Sequence, residues 1–262
     1  MRYSIIVVCY NAADKLNKTI SSILTQTYLD YEIVIKDGQS TDDSIANLPI
    51  DDRINLCVKS DSGIYDAMNQ AIEISGGNYL IFLNCGDTFY DSNVLLNIDR
   101  IITQNSSNRV YYGNIFHEAR KSLDIMPKKI DSFTCFRHMP CHQSIVYSRE
   151  VFSEKSYDTN YKIRGDYDHF LWLFFVKKVN PLYMGITIAS YEGDGYSESK
   201  KNKKLDKKEH RDITKKYISK GKLLEYKLVM IITLSTVRTR LANSQKSARF
   251  YNKIRSIFYR NR

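Results

Sequence analysis

The sequence lacks an apolar run of the length that a membrane-spanning helix needs. A span takes about 20 consecutive apolar residues, and the nearest candidate, residues 228–237, has half that length. No G-x4-G-K-[ST] sequence occurs, and no G-x-G-x-x-G follows the first apolar segment. These absences argue against a membrane span, a P-loop enzyme and a dinucleotide-binding fold.

Cysteine is scarce, and the number of cysteines is odd. The five thiols belong to Cys9, Cys57, Cys85, Cys135 and Cys141. The first residues do not resemble a secretory signal peptide, so we expect reduced thiols and a cytoplasmic protein. The segment 135–142 holds two Cys and two His, but C-x5-C with interleaved His is not a standard zinc pattern. Buried cysteine and a site-lining histidine are expected there instead of zinc.

Charge is divided unevenly along the 262 residues. Residues 198–262 carry 20 Lys and Arg against 5 Asp and Glu, whereas residues 1–197 carry 19 against 24. A mildly acidic body with a strongly basic tail indicates a negatively charged partner, either anionic lipid or nucleic acid.

Apolar segments alternate with helical patterns in the first part of the chain. Strands are predicted over 3–9, 31–36, 54–59 and 79–83, and helices over 13–25, about 42–47, and 63–75. Nearly continuous apolar strands separated by helices predict a parallel sheet that is covered on both faces. Further strands are predicted over 110–116, 144–147 and 186–191, and further helices over 94–102, 166–177, 203–219, 222–241 and 245–258.

Polar residues follow each of the first four predicted strands. They are Tyr10-Asn11, residues 37–42, residues 60–63, and Asn84-Cys85-Gly86-Asp87. Parallel strands end on the same side, so we expect all four groups at one edge of the sheet, where such folds bind ligands. Helix capping accounts in part for Thr41 or Asp42 and for Ser62. It does not account for Asp37 or Asp87, which we interpret as site residues.

Several carboxylates at one edge would repel a bare anion. They suit a phosphate that is bridged by a divalent cation, because Mg²⁺ and Mn²⁺ take one or two carboxylates together with substrate phosphates. The residues alone therefore predict a phosphate-bearing ligand with Mn²⁺ or Mg²⁺ as its cofactor.

Seven motifs extend this interpretation: VVCYN (7–11), KDGQSTDDS (36–44), DSGIYDAMNQAI (61–72), YLIFLNCGDTF (79–89), CHQSIVYSREVF (141–152), YKIRGDYDHFLWL (161–173) and YEGDGYS (191–197). In this order and spacing they resemble the nucleotide-sugar domain of family 2 glycosyltransferases. The resemblance covers residues 1–200 and implies the GT-A fold, a Rossmann-like mixed sheet flanked by helices. Residues 201–262 would form a basic helical extension. The Asn-x-Gly-Asp variant also resembles bacterial cell-surface polysaccharide transferases.

The resemblance implies an inverting transfer of a sugar from a nucleotide-diphosphate donor, with UDP as the expected nucleotide, to a hydroxyl group. The acceptor would be a glycan or a polyprenyl-diphosphate-linked glycan in O-antigen or capsule synthesis. The expected contacts to the donor are Tyr10, Asn11, Asp37, Asp61 and Asp66. Asn84, Gly86 and Asp87 stand at the family's D-x-D-type metal motif, in which Asp87 alone keeps a carboxylate.

The family's general base corresponds to Asp166. Asp168 would point about 200° away on a helix, so the two carboxylates would not face one acceptor. Asp168 is therefore expected to be a structural partner, and the alternative for Asp166 is simple helix capping. His142 and Gln143 would line the acceptor side, unless His142 is a core residue. Residues 193–195 would form a loop that closes over the diphosphate, or an ordinary surface turn.

The basic tail combines Lys and Arg with apolar residues below the length of a membrane span. This composition fits an interfacial helix on an anionic leaflet, which would place the enzyme peripherally on the inner face of the cell membrane. The alternative is that the basic helices pack on the body. A nucleic-acid-binding protein is disfavoured because acidic strand ends would repel phosphates. A sugar nucleotidyltransferase would need a basic loop where the chain has YNAADK.

Overall fold

A mixed sheet of nine strands organises the part of the protein that the structure describes. The structure, a computed structural model, describes residues 1–193 and 202–233. The strands are β1 (Tyr3–Cys9), β2 (Tyr31–Asp37), β3 (Ile54–Val58), β4 (Tyr79–Phe82), β5 (Thr88–Phe89), β6 (Val110–His117), β7 (Ser122–Asp124), β8 (Ile145–Ser148) and β9 (Leu182–Tyr191). The helices are α1 (Asp14–Leu24), α2 (Ile64–Ile74), α3 (Val94–Gln104), α4 (Ser132–Arg137), α5 (Glu150–Glu154), α6 (Gly165–Phe175), α7 (Lys203–Tyr217) and α8 (Lys220–Ile232).

The first four strands are mutually parallel and lie in the spatial order β3, β2, β1, β4. The predicted common edge is therefore confirmed, because the carboxyl ends of all four strands face the same way. Beyond β4 the sheet continues through β8, β6, β9 and β5, and β8 pairs antiparallel to both β4 and β6. The sheet is thus mixed, with β7 attached to β6.

Two apolar cores lie on the two faces of the sheet. In β1, Ile6 packs in the core that includes residues of α2 and α6, whereas Ile5 and Val7 pack in the core that includes residues of α1 and α3. All three side chains are essentially inaccessible to solvent. Burying each one contributes about 1.5–3 kcal/mol relative to an exposed position. This two-sided burial explains why β1 and β4 are almost continuously apolar, whereas β3 at the edge of the sheet is partly exposed.

The predicted short helix at 42–47 is wrong, because this segment is a turn. The buried Ser44 hydroxyl accepts hydrogen bonds from the backbone N–H groups of Ala12 and Ala13, and Asp42 also accepts from Ala13. Asp42 Oδ1 also accepts from the backbone N–H and the hydroxyl of Ser44, and such local bonds compete with helix formation. The turn therefore ties the end of β2 to the loop after β1.

The first basic helix packs on the body. Glu209 of α7 is buried, and its carboxylate accepts hydrogen bonds from the backbone N–H groups of Lys162, Ile163 and Arg164. Ile213 of the same helix belongs to the core on the α6 face. For α7, the structure therefore shows the alternative in which the basic helices contact the body.

Only part of the second basic helix is described. Leu223 and Tyr226 of α8 are buried against Phe136, while Leu224, Leu228, Ile231 and Ile232 are exposed. The helix predicted over 222–241 is seen to Ile232, and the one predicted over 245–258 lies outside the described residues. No helix in residues 1–193 and 202–233 has the length and apolarity to cross a bilayer.

Candidate active site

Two adjoining cavities open at the carboxyl edge of the first four strands. The larger cavity has a volume of about 570 Å³, and Asn84, Asp87 and Asp166 are among its lining residues. The second cavity, of about 400 Å³, is lined in part by Tyr10, Asp61 and Asp66. Each falls in the range of small-molecule sites, and four residues line both: Val8, Ile64, Tyr65 and Lys162. Asn84, Asp87 and Asp166 thus line one cavity, and Tyr10, Asp61 and Asp66 line its neighbour.

A buried lysine pairs with Asp61, one of the two carboxylates that line the second cavity. The Lys36 side chain is 0% exposed, and its Nζ lies 2.8 Å from Asp61 Oδ2. The same ammonium donates to the backbone carbonyls of Asp37 and Lys59, so all three of its protons have an acceptor. Removing one partner of such a buried pair typically costs about 3–5 kcal/mol. Lys36 therefore fixes Asp61 and joins the ends of β2 and β3.

Two further residues organise the second cavity. Asp66, in the first turn of α2, accepts from the backbone N–H of Ser62 at 2.7 Å, and this bond lowers the pKa of Asp66. Tyr10 is 66% exposed, so its ring has room to stack on a planar ligand. The cavity therefore combines an aromatic face with two carboxylates.

Asp37 lies next to these cavities but is not among the residues that the structure shows lining them. It is 1% exposed, and its two carboxylate oxygens accept from the backbone N–H and the hydroxyl of Ser40. The Ser40 hydroxyl in turn accepts from the backbone N–H of Asn11, whose side-chain oxygen accepts from Thr41. Asp37 and Asn11 therefore shape the loop around the second cavity, and their contact with the nucleotide stays a prediction.

The Asn-Cys-Gly-Asp segment forms a tight turn against α1. The Gly86 N–H donates to Thr19 Oγ1 and to the Lys15 carbonyl, and Gly86 has a φ of +97°, which disfavours other residues. A Cβ at this position would lie 2.4 Å from Glu192 Oε2. Glu192 covers the turn and forms ion pairs with Lys15 and Lys18. The positive φ therefore favours glycine at position 86, and the missing side chain leaves room for the Glu192 carboxylate.

Asp87 lies at the inner end of the larger cavity and is 3% exposed. Its Oδ2 accepts from Gln143 Nε2 at 2.6 Å, and its Oδ1 accepts from the backbone N–H of Glu192 at 3.0 Å. Burial raises the pKa of Asp87 to about 6, although both hydrogen bonds lower it. A cation beside Asp87 would offset this cost of burying a negative charge.

The residues around Asp87 fit a divalent cation. Asn84 Oδ1 is buried, lines the same cavity, and has no hydrogen-bond partner among the described residues. An orphaned amide oxygen beside a carboxylate is the kind of oxygen donor that Mg²⁺ and Mn²⁺ accept. No group of three or more His, Cys, Asp or Glu in the described ranges could hold a metal ion by itself. The donor set therefore fits a cation whose other ligands come from a substrate.

Asp166 faces the same cavity from the start of α6. Its side chain is partly buried, and its Oδ1 lies 2.7 Å from the Tyr65 hydroxyl. Asp168 is fully buried and accepts from Lys155, Lys216 and Tyr217. Burial alone would raise the pKa of Asp168, but these hydrogen bonds outweigh it and lower the pKa. The structure thus gives Asp168 a link to α7 and leaves Asp166 at the cavity.

Other predictions at this site have mixed outcomes. His142 lines the larger cavity, yet it is mostly buried, stacks on Phe82 and contacts the Tyr157 hydroxyl at 2.9 Å, and burial lowers its pKa. His142 therefore both lines the cavity and packs in the core. In the proposed closing loop, Gly193 lines the cavity, whereas Asp194 and Gly195 lie outside the described residues.

The sequence did not reveal the contacts that four residues make at the site. These residues are Lys36, Tyr65, Gln143 and Glu192. Each contacts a predicted site carboxylate from an element that is distant along the chain or on the neighbouring strand. The one available signal was the presence of Lys36 in a strand that is mainly apolar, since a buried lysine requires partners.

Comparison with known proteins agrees with this geometry. Residues 4–155 match the family model described as Glycosyl transferase family 2. A PGL/p-HBAD biosynthesis glycosyltransferase of Mycobacterium bovis is 30% identical over 199 residues, which are 74% of this chain and 77% of that protein. The Escherichia coli UDP-Glc:alpha-D-GlcNAc-diphosphoundecaprenol beta-1,3-glucosyltransferase WfgD is 27% identical over 185 residues, or 68% of this chain and 70% of its own.

The fold has counterparts among solved structures. The crystal structure of S. aureus TarS 1-349 in complex with UDP-GlcNAc matches with a TM-score of 0.61 and 15% identity, covering 76% of this chain. This chain spans 61% of the length of that structure. The architecture is the GT-A fold of glycosyltransferases, as the motifs implied. The protein belongs to glycosyl transferase family 2.

Proposed function

We propose that this glycosyltransferase moves a sugar from a UDP-sugar to a hydroxyl group of a lipid-linked glycan, with inversion at the anomeric carbon. The observation that carries the proposal is that Asp87 and Asp166 line one cavity of about 570 Å³. A buried carboxylate suited to a cation thus lies across the same space from a carboxylate that can take a proton. Surface polysaccharide synthesis is the process that this reaction would serve.

The nucleoside would occupy the second cavity. Tyr10 offers a stacking surface there, and Asp61 and Asp66 offer acceptors for ribose or base N–H and O–H groups. Lys36 keeps Asp61 in place, as its ion pair shows. The diphosphate would then lie at the junction of the two cavities, and the sugar would enter the larger one.

Asp166 would act as the general base. As the acceptor oxygen bonds to the anomeric carbon, its proton passes to the Asp166 carboxylate. The bond between that carbon and the phosphate oxygen breaks on the opposite face, and its electron pair leaves with the diphosphate. One displacement of this kind inverts the anomeric centre and requires no covalent intermediate with the protein.

Asp87 and Asn84 would hold Mn²⁺ or Mg²⁺ together with the diphosphate oxygens. When bound, such a cation supplies positive charge that stabilises the departing diphosphate. Gln143 and the Glu192 N–H orient the Asp87 carboxylate through its two oxygens. Lys15 lines the same cavity and adds positive charge near Asn84.

The names of relatives support the substrate classes. WfgD is named for a UDP-glucose donor and a diphosphoundecaprenol-linked acceptor, and a TarS structure contains UDP-GlcNAc. Both names favour a UDP-sugar donor, and so does a cavity whose residues suit a cation. A lipid-linked acceptor would also give the enzyme a reason to be located at the inner face of the membrane.

Thermal denaturation tests the proposed function. We expect UDP with Mn²⁺ to raise the melting temperature, because a ligand at a hundredfold excess over its Kd stabilises by about 2.7 kcal/mol. UDP without Mn²⁺ should give a smaller shift. GDP with Mn²⁺ is the control for the choice of nucleotide. Stabilisation by an oligonucleotide and not by UDP would contradict the proposal. So would pyrophosphate release from UTP and a sugar 1-phosphate, because that is the reaction of a nucleotidyltransferase.

The membrane location is tested at α8. Leu228 and Ile231 are 50% and 69% exposed, whereas Leu223 and Tyr226 are packed on the body. We expect the double variant Leu228→Glu/Ile231→Glu to lose co-sedimentation with anionic vesicles, because it places charge on an apolar contact face. Ile50→Glu, at a fully exposed position before β3, is the control. Equal sedimentation of the double variant and the wild type would refute the membrane location.

A further inference from the structure

A buried tyrosine lies beneath the first turn of α6. Tyr65 of α2 is 5% exposed, and its ring packs directly on Gly165. A Cβ built on Gly165 would lie 2.8 Å from two ring carbons of Tyr65, a distance that real side chains do not tolerate. Glycine at position 165 therefore allows the tyrosine to reach the end of the helix that carries Asp166.

The Tyr65 hydroxyl has one proton and two acceptors. Its oxygen lies 2.7 Å from Asp166 Oδ1 and 2.6 Å from the Ile163 carbonyl. A hydrogen bond to an ionised carboxylate is about twice as strong as one to a neutral carbonyl. The proton therefore points to Asp166 as long as that carboxylate is charged, and it can turn to Ile163 once the carboxylate has been neutralised.

Tyr65 remains a proton donor throughout the accessible pH range. Burial, reinforced by the neighbouring Asp166 carboxylate, raises the pKa of Tyr65 well above its ordinary value. The backbone N–H groups of Gly165 and Asp166 act in the opposite direction but do not outweigh burial. The phenol is thus neutral and presents an O–H group to the carboxylate.

We propose that Tyr65 is a positioning residue for the transfer step: its hydroxyl binds Oδ1 of Asp166, favours the ionised carboxylate, and thereby leaves the second oxygen to meet the acceptor hydroxyl in the cavity. The proposal rests on the role of Asp166 as the base. When Asp166 takes the acceptor proton on that second oxygen, the charge that held the Tyr65 proton disappears. The tyrosine then donates to Ile163, so no buried donor is left without an acceptor.

The other groups that face Asp166 are poorly suited to this task. They are Cys141, His142, Tyr147 and Tyr157 from the elements packed against it, with Lys162 and Arg164 from its own segment. Burial raises the pKa of the thiol and of both phenols and lowers the pKa of His142, so all four are neutral near pH 7. Arg164 is engaged by Asp206, and Lys162 donates to the Thr159 carbonyl.

Tyr65→Phe tests the proposal because it removes one oxygen and keeps the ring on Gly165. We expect kcat at saturating donor and Mn²⁺ to fall at least about tenfold. The acid limb of its pH profile should move to higher pH, because the variant lacks the O–H group that donates to the carboxylate. Saturating Mn²⁺ is used because a cation bound at Asp87 would favour the ionised form of that second carboxylate. The Kd for UDP, measured by calorimetry, should change less than about twofold.

Tyr147→Phe is the matched control. Tyr147 is also fully buried near Asp166, but its hydroxyl has no hydrogen-bond partner in the described part of the chain. We expect its acid limb to coincide with that of the wild type. If Tyr65→Phe is too unstable to assay, 3-fluorotyrosine placed at position 65 supplies a stronger donor of nearly the same size, and it should move the acid limb to lower pH.

The outcomes separate this inference from the proposed function. An unmoved acid limb in Tyr65→Phe, with or without a fall in kcat, would overturn the positioning role and leave at most a packing role. If Asp166→Asn is inactive in that case, the base assignment survives. Full activity of Asp166→Asn would instead remove the base assignment and, with it, this inference.

Discussion

Asp166→Asn is expected to lower kcat by about a thousandfold while the protein stays folded and binds UDP normally. The general base contributes roughly 10²–10⁴-fold in reactions of this kind, and an amide cannot take the acceptor proton. The substitution keeps the shape of the side chain at the larger cavity. Steady-state transfer assays with a UDP-sugar and a lipid-linked acceptor mimic measure the first quantity, and calorimetry with UDP measures the second.

Asp168→Asn provides the contrast for this experiment. Asp168 is fully buried and receives hydrogen bonds from Lys155, Lys216 and Tyr217. Neutralising it leaves the partly exposed ammonium groups of Lys155 and Lys216 without their charged partner, so we expect a loss of unfolding free energy of about 1–3 kcal/mol. Folded Asp168→Asn should retain chemistry. Normal turnover in Asp166→Asn together with inactive, folded Asp168→Asn would reverse the two roles.

Asp87→Asn is expected to reduce turnover at least about a hundredfold by a different route. Here the Mn²⁺-dependent part of UDP binding should disappear, because one of the two protein donors for the cation loses its charge. The Asp166 variant keeps that binding, so the two variants separate metal-assisted donor binding from proton transfer. Calorimetric titration with UDP, with and without Mn²⁺, distinguishes them. Unchanged Mn²⁺ dependence in Asp87→Asn would exclude Asp87 from the metal site.

The same variant has a stability signature with a defined sign. The pKa of Asp87 is raised to about 6 by burial, so the folded state gains stability from the proton at low pH and loses it as the pH rises through about 6. In the absence of ligands, the stability of the wild type relative to Asp87→Asn should therefore fall by about 1 kcal/mol between pH 5 and pH 8. The comparison rests on this change with pH, because an amide has one acceptor oxygen for the two donors that Asp87 receives. A stability difference that is the same at pH 5 and pH 8 would contradict the raised pKa of Asp87.

The sequence allowed the sheet edge to be predicted because the physics there is local. Apolar strands such as 79–83 end abruptly in polar residues, and a parallel arrangement brings such ends together. Asp87 and Asp166 were accessible to sequence reasoning for this reason and through the motif resemblance. The turn at 42–47 was not, because its conformation depends on Ser44 reaching backbone groups 31 and 32 positions earlier.

The contacts that tune these carboxylates were beyond sequence reasoning for the same physical reason. Gln143 meets Asp87 across 56 positions, and Tyr65 meets Asp166 across 101. The packing of β8, α2 and α6 brings such pairs together. The periodicity of apolar residues in a sequence does not show which elements pack against each other. Asp37 gives a further example: its place at a strand end was predictable, but the hydrogen bonds from Ser40 to both of its oxygens were not.

The hydrogen bonds between Glu209 of α7 and the backbone of residues 162–164 affect where the chain can be truncated. A fragment that stops at residue 200 would retain every strand of the sheet, but it would lack the carboxylate of Glu209, to which three consecutive backbone N–H groups donate. Those amides belong to the residues that lead directly into Gly165 and Asp166. Helix α7 therefore supports the backbone that carries Asp166 into the larger cavity. Chimeras that exchange C-terminal segments between relatives must carry this helix with its matching loop.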